Sequence, residues 1–290
     1  MKSKNNGFTL VEMLTTVTII AILIAMLVPS LSLVRRISKE TAQKSQFATI
    51  DMAIGAFKSD YGDYPDSNWP LGGDYGGVQK LTEALVGWDL MGFHPKSAWR
   101  ADGFDSAGGN TSYDPLNNRL GASLYERRGP YLELATAGVF KLDDLFGTGL
   151  TLTLAGQTFV ICDVFKAKKI TLTPTAGKTT AVMAGTPILY YKANTSIKTI
   201  SDATWSNNIY NVEDNLGLIS LGVMTDKPPR APRHPLIDPT PNHFYDYDYE
   251  GGIKDPKATI RPWPYRPDSY ILISAGMDGL YGTSDDIRNF

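Results

Sequence analysis

Apolar and polar positions alternate differently along successive parts of the chain. From Phe8 to Val34 nearly every residue is apolar, and Glu12 is the only charge. A helix over that stretch covers roughly 40 Å at about 1.5 Å per residue, more than the ~30 Å hydrocarbon core of a bilayer, so a membrane-spanning helix is predicted. The pattern then becomes one-sided. Phe47, Ile50, Ile54, Phe57 and Tyr61 recur at three- and four-residue spacing while Lys44, Asp51 and Lys58 fall on other faces, which predicts an amphipathic helix with a core-facing stripe. Gly62 and Pro65 supply its stop. One long helix from about Thr9 to Asp60 is therefore expected. Pro29 lies inside its apolar part and lacks a backbone donor, which predicts a kink or local melting. Arg35, Arg36 and Lys39 mark the outer membrane–water boundary.

Beyond the helix the pattern is mixed. Gln79–Val86 reads as a short helix, and Thr151–Phe165, Lys169–Thr173, Thr186–Lys192 and Ser269–Ser274 read as strands. Lys227–Pro241 and Asp255–Pro267 are Pro-rich and read as extended surface loops, and the Gly-rich stretch from Gly72 to Gly77 as a flexible one. The abundance of Tyr, Gly and Pro, at 15, 27 and 18, favours an irregular, loop-rich head over a helical bundle. The expected class is α+β, a long N-terminal helix packed on a β-rich head, with a further roughly 230 residues available beyond the anchor for a core.

Composition adds few constraints. A net charge of -2 offers no global attraction to nucleic acid. Cys162, the single cysteine, lies in the apolar run TFVICDVF and reads as a buried thiol. Three accounts of the N-terminus compete: a cleaved secretory signal, a plain anchor, and a leader cut before the apolar run. A secretory signal has a shorter, uncharged apolar region, and a plain anchor gives no reason for Glu12, whose charge costs several kcal/mol in hydrocarbon. The string Gly7-Phe8-Thr9-Leu10-Val11-Glu12, after Lys2 and Lys4, resembles the class III signal of type IV pilins and type II secretion pseudopilins.

That resemblance extends to Asp60–Pro65 with the helix after it, to Gly185–Tyr191, and to the C-terminal tail, and is strongest to the G-type major pseudopilin, with a large insertion in the head. It implies a leader at residues 1–7, an assembly helix at 8–34, an amphipathic helix at 35–61 and a periplasmic head at 62–290. It implies prepilin peptidase cleavage between Gly7 and Phe8, methylation of Phe8, and pairing of Glu12 with its own or a neighbouring subunit's N-terminal amine. The implied partners are further copies in a helical filament, prepilin peptidase, the inner-membrane assembly platform and minor pseudopilins, with no nucleic acid. The implied location is the bacterial inner membrane, single pass, with the head in the periplasm and a periplasmic or surface filament after assembly. A surface pilin for adhesion, motility or DNA uptake, and a membrane-anchored ligand-binding protein or enzyme, stand as alternatives.

Candidate chemistry is sparse, and no enzyme is expected: the chain has no Gly-x-Ser-x-Gly, His-Glu-x-x-His, phosphate-loop or Cys-x-x-Cys motif. His234, Asp238, His243, Asp246 and Asp248 lie close in sequence, but their spacing matches no metal motif and they read as solvated loop residues. Asn110-Thr111-Ser112 and Asn194-Thr195-Ser196 fit a glycosylation pattern too short to decide anything. The tail places Asp278, Asp285 and Asp286 on a Gly-rich turn, where three acids repel unless a cation screens them, and calcium accepts carbonyls alongside carboxylates. The tail also resembles the calcium loop of G-type pseudopilins. The expected ligands are Asp278, Asp285 and Asp286 with carbonyls near Leu280 and Thr283, holding Ca2+.

Overall fold

The structure, a computed structural model, describes residues 9–69, 75–104, 113, 123–147, 156–172, 179–200, 202–224, 234–237, 242–245 and 252–290. Its helices are α1 Leu10–Tyr61, α2 Gly77–Val86, α3 Ser123–Glu126, α4 Leu134–Ala137, α5 Leu142–Phe146, α6 Leu216–Ile219 and α7 Asn242–Tyr245. Its strands are β1 Val139–Lys141, β2 Phe159–Ile161, β3 Lys168–Leu172, β4 Thr180–Ala184, β5 Leu189–Lys192, β6 Tyr270–Ser274 and β7 Ile287–Arg288. The chain forms two compact units, one ending at Ala42 and the other comprising Gln43–Phe290.

In the first unit the large apolar side chains of α1 from Leu10 to Ile37 are solvent-facing, and the helix is long and apolar enough to cross a membrane. Its polar side chains are spent on its own backbone. The hydroxyls of Thr15, Thr16, Thr18, Ser30 and Ser32 each donate to a carbonyl three or four residues back. Such bonds hide hydroxyls that hydrocarbon cannot solvate. The helix continues through Pro29, so the expected local melting is not found. Proline withholds one N–H, and the bonds of Ser30 to the Met26 carbonyl and Ser32 to the Pro29 carbonyl reinforce the turn around it.

In the second unit the predicted stripe is the buried face of α1. Phe47, Ile50, Ile54 and Phe57 are buried, joined by Gln43 and Ala53, while Tyr61 is half-buried. Gly62, at φ +83°, ends the helix by donating its N–H to the Lys58 carbonyl at 2.7 Å. The stripe packs on Leu81, Ala84 and Leu85 of α2 and on Tyr190, Leu272 and Ile287 of the sheet β5-β6-β7. That sheet is antiparallel, with Tyr190 opposite Leu272 and Ser274 opposite Ile287. Alternation sends Leu189, Tyr191, Ile271 and Ile273 into a second cluster with Leu142, Leu145, Val160, Tyr210, Phe244 and Tyr281. Both faces of the sheet are therefore covered.

Two further two-stranded antiparallel sheets, β1-β2 and β3-β4, complete the described strands. Thr151–Phe165 yields only β2 among its described residues, because beyond Ile161 the Asp163 carboxylate takes the backbone N–H groups of Phe165 and Thr186. Thr186–Lys192 becomes a strand only from Leu189, since Pro187 has no N–H to offer a ladder. β4 was not legible: its Ala, Met and Thr residues carry no clear alternation, and pairing with β3 along five residues creates it. Asp255–Pro267 is a surface excursion of turns closed by a bridge between Lys254 and Pro264.

α2 is buried along its whole length. A Cβ on Gly77 would lie 2.5 Å from the Tyr190 carbonyl oxygen, so only glycine lets this helix meet β5. The side chain of Asn215 accepts from Val78 N–H at 2.9 Å and donates to Tyr190 O at 2.8 Å, joining helix to strand. Gly76 and Gly77 are thus packed, against the expectation of a flexible loop; Gly72 and Gly73 lie outside the described residues. Midway along α2, Glu83 is fully buried beside the hydroxyls of Ser97, Tyr75 and Tyr113. Burial pushes its carboxyl up to about 7, against the opposing pull of those hydroxyls.

The sign of the resulting pH dependence is set by Glu83 holding in the folded head a proton that the unfolded chain releases near pH 4.5. Its contribution is complete below that pH and lost as pH rises through about 7. Asp214, raised to about 8 by burial, acts in the same direction, and the burial-depressed His234 opposes it below about 6.5. Thermal melts of Glu83→Gln between pH 5 and 7.5 are expected to show a smaller gain on acidification than the wild type, by up to about 1.4 kcal/mol per pH unit. Superimposable pH profiles would remove Glu83 as the source.

Candidate functional site

The N-terminal candidate is built around Glu12. Its Oε2 accepts from the Thr9 backbone N–H at 2.8 Å and from the Thr9 hydroxyl at 2.7 Å, and its own N–H donates to Thr9 Oγ1 at 3.3 Å. This is a reciprocal cap, in which an acid three residues into a helix satisfies donors that have no intrahelical acceptor. Sequence reasoning assigned Glu12 to the amine created by cleavage and missed Thr9, although Thr-x-x-Glu before an apolar run is the spacing of a capping box. Gly7 and Phe8 lie outside the described residues.

The second candidate is the acidic loop between β6 and β7. Gly276 (φ +65°) opens it, and a Cβ there would lie 2.3 Å from the Asp285 carbonyl oxygen and 2.7 Å from its Oδ2. Only glycine allows this closure. Asp285 Oδ2 accepts from the backbone N–H of Met277 at 2.7 Å and of Asp278 at 3.1 Å, while the Thr283 hydroxyl donates to its Oδ1 at 2.5 Å. Asp278 Oδ1 accepts from Leu280 N–H at 2.8 Å, and Thr283 Oγ1 also lies 3.3 Å from the Leu280 carbonyl oxygen. Burial and then the charge of Asp285 raise the Asp278 carboxyl above its ordinary range. In Asp285 burial also pushes upward, but the Thr283 hydroxyl and the two backbone donors outweigh it and hold the carboxyl low.

Asp286 differs from its neighbours. Its side chain is fully buried, with Oδ2 accepting from Gly282 N–H at 2.8 Å and Oδ1 without a hydrogen-bond partner. Burial pushes this carboxyl up to about 7, with Arg288 3.7 Å away opposing the shift. Among the described residues no three His, Cys, Asp or Glu side chains form a metal-holding group. What the loop gathers instead is oxygen of mixed kind: the carboxylates of Asp278 and Asp285, the Thr283 hydroxyl and the Leu280 carbonyl. That all-oxygen donor set suits a hard cation such as calcium better than zinc, whose sites are built mainly on His nitrogen and Cys sulfur.

The described histidines of the His234–Asp248 stretch are not the solvated loop residues expected. His234 is buried, its Nδ1 accepts from Tyr281 N–H at 3.2 Å, and its ring lies 4.9 Å from that of Tyr281. Burial lowers its pKa, which keeps the ring neutral and Nδ1 an acceptor. His243 Nδ1 lies 2.6 Å from the Pro235 carbonyl, and a carbonyl only accepts, so this nitrogen carries the proton. Leu236 is also buried, so the described part of Lys227–Pro241 is a packed turn and not an extended surface loop. Apolar Leu236 and Ile237 within the Pro-rich run were the available signal. Asp238, Asp246, Asp248 and the sequence Asn110-Thr111-Ser112 lie outside the described residues. Asn194 is exposed on a turn, its Oδ1 accepting from Ser196 N–H at 3.2 Å. Cys162 is fully buried and its thiol is held well above the ordinary range by burial, which makes it inert.

Residues 2–28 match the family described as the prokaryotic N-terminal methylation motif, the kind of signal found on type IV pilin-like proteins. Comparison with curated proteins and with solved structures gives no match.

Proposed function

We propose that the chain is a structural subunit of a pseudopilus serving type II protein secretion, cut by prepilin peptidase between Gly7 and Phe8, methylated on Phe8 and assembled through its N-terminal helix. The observation that carries this reading is a methylation motif at residues 2–28 together with a helix from Leu10 whose apolar side chains face outward to Ile37. A surface that greasy needs either lipid or other such helices around it. Assembly into a filament would exchange the first for the second, with the inner-membrane platform and minor pseudopilins as further partners and the head on the periplasmic side.

Glu12 has two jobs in this scheme. Before cleavage it caps the helix through Thr9. After cleavage a new amine on Phe8, one residue beyond Thr9, offers the carboxylate a cation, from the same chain or from a neighbour in the filament. Desolvated ion pairs are strong when both partners are present and costly when one is removed. The C-terminal loop would take calcium through Asp278, Asp285 and the carbonyls near Leu280 and Thr283. Asp286 serves it from beneath by holding Gly282 N–H.

Co-expression with a prepilin peptidase is expected to remove residues 1–7, read by intact-mass measurement together with one added methyl group. A chain of unchanged mass would sink the assembly reading. Glu12→Ala is expected to insert in the membrane as well as the wild type or better, yet to reach filaments in much lower yield, scored by shearing and electron microscopy. Undiminished filament yield would refute the pairing. For calcium, saturation at a hundredfold above Kd is expected to add about 2.7 kcal/mol to the stability of the head relative to chelator. Identical melting in calcium and chelator, with no metal found by elemental analysis, would dismiss the site.

A further inference from the structure

Tyr281 and Gly282 lie at the centre of the acidic loop, between the two residues whose carbonyls are proposed for calcium, and the His234–Leu236 segment holds them from several directions. The Tyr281 N–H donates to His234 Nδ1 at 3.2 Å, and its carbonyl accepts from Leu236 N–H at 3.0 Å. Its hydroxyl donates to the Pro187 carbonyl at 2.5 Å. A Cβ on Gly282 (φ +90°) would sit 2.4 Å from Leu236 N, so the backbone of that segment lies directly against the loop backbone. Its turn is closed by Ile237 N–H donating to the His234 carbonyl at 3.1 Å, and His243 on α7 grips it through the Pro235 carbonyl at 2.6 Å.

We propose that the segment His234–Leu236 is a brace that sets the acidic loop for cation binding, with His234 and His243 as its positioning residues. The inference rests on the calcium reading above. A loop that offers backbone carbonyls to a cation has no side-chain rotamers with which to adjust them, so their direction depends on what fixes the neighbouring peptides. The brace fixes both peptide groups of Tyr281 and thereby the carbonyl of Leu280, which belongs to the peptide whose N–H His234 binds. The five ligand-type residues grouped in the sequence thus have their two described histidines supporting a different, oxygen-lined site.

The test is calcium titration by calorimetry on the full chain in detergent micelles, comparing wild type, His234→Phe and His234→Asn. Phenylalanine keeps a ring against Tyr281 but removes the acceptor, whereas asparagine restores an acceptor oxygen at similar reach. His234→Phe is expected to weaken calcium binding on the order of tenfold or more, and His234→Asn to recover most of the loss. Melting in chelator serves as the control, since a merely structural role lowers both melting points without separating the two affinities. Wild-type affinity in His234→Phe, or equal weakening in both variants, overturns the brace. A wild type that takes up no calcium overturns the calcium reading, and the brace with it. If His234→Phe does not fold, His243→Phe replaces it: weakened calcium binding supports the brace and wild-type affinity overturns it.

Discussion

A small sheet with two apolar faces is stable only if both are covered, and the head is organised around meeting that demand for β5-β6-β7. Phe47, Ile50, Ile54 and Phe57 of α1, with α2, close one face over Tyr190, Leu272 and Ile287. Leu142, Leu145, Tyr210 and Phe244 close the other over Leu189, Tyr191, Ile271 and Ile273. Each fully buried apolar side chain contributes about 1.5–3 kcal/mol, so neither cover is dispensable. Much else follows from the close approaches this requires, including the glycines at 77, 185 and 276, where a Cβ would strike backbone oxygen.

The same helix meets two different requirements along its length. From Met13 to Val34 it carries no charge and folds its hydroxyls back onto its own carbonyls, as a helix must where no water is available. From Gln43 it is apolar on one face, and its polar residues dock on the head: Asp51 accepts from the Tyr270 hydroxyl, and Asp60 from Tyr131 and Arg128. Gln46 donates to the carbonyls of Ala137 and Cys162, and Gln43 accepts from Val164 N–H.

The cost of dense packing is visible in the buried acids. Glu83, Asp214 and Asp286 all have raised pKa values because burial disfavours their charge. Hydrogen bonds hold them in place: Ser67 to Asp214 ties segments far apart in the chain, and Gly282 to Asp286 closes a local turn. Asp163 does the same between β2 and the start of β5, accepting from Thr186 N–H and from the Ser274 hydroxyl.

What the sequence by itself determined is local and periodic. The long helix, its buried stripe, its glycine stop and α2 were legible because spacing of three and four residues and a left-handed glycine act over one or two turns of chain. The methylation motif at residues 2–28 was legible because it is contiguous. The core strands β5 and β6 were found, β5 with its start misplaced where Pro187 intervenes, while β2 ends early where Asp163 takes backbone N–H groups. What only the tertiary structure decided is everything that depends on residues far apart meeting. β4 exists by pairing, since its own residues have no strand preference strong enough to show. Glycines that look like loop residues are packing sites, and a Pro-rich, histidine-bearing segment that looks solvent-borne is buried against the acidic loop, with Leu236 and Tyr281 exchanging a backbone bond across the chain. Hydrogen bonds between such segments carry no period or composition, because each partner's identity is set by the surface that folding brings to it.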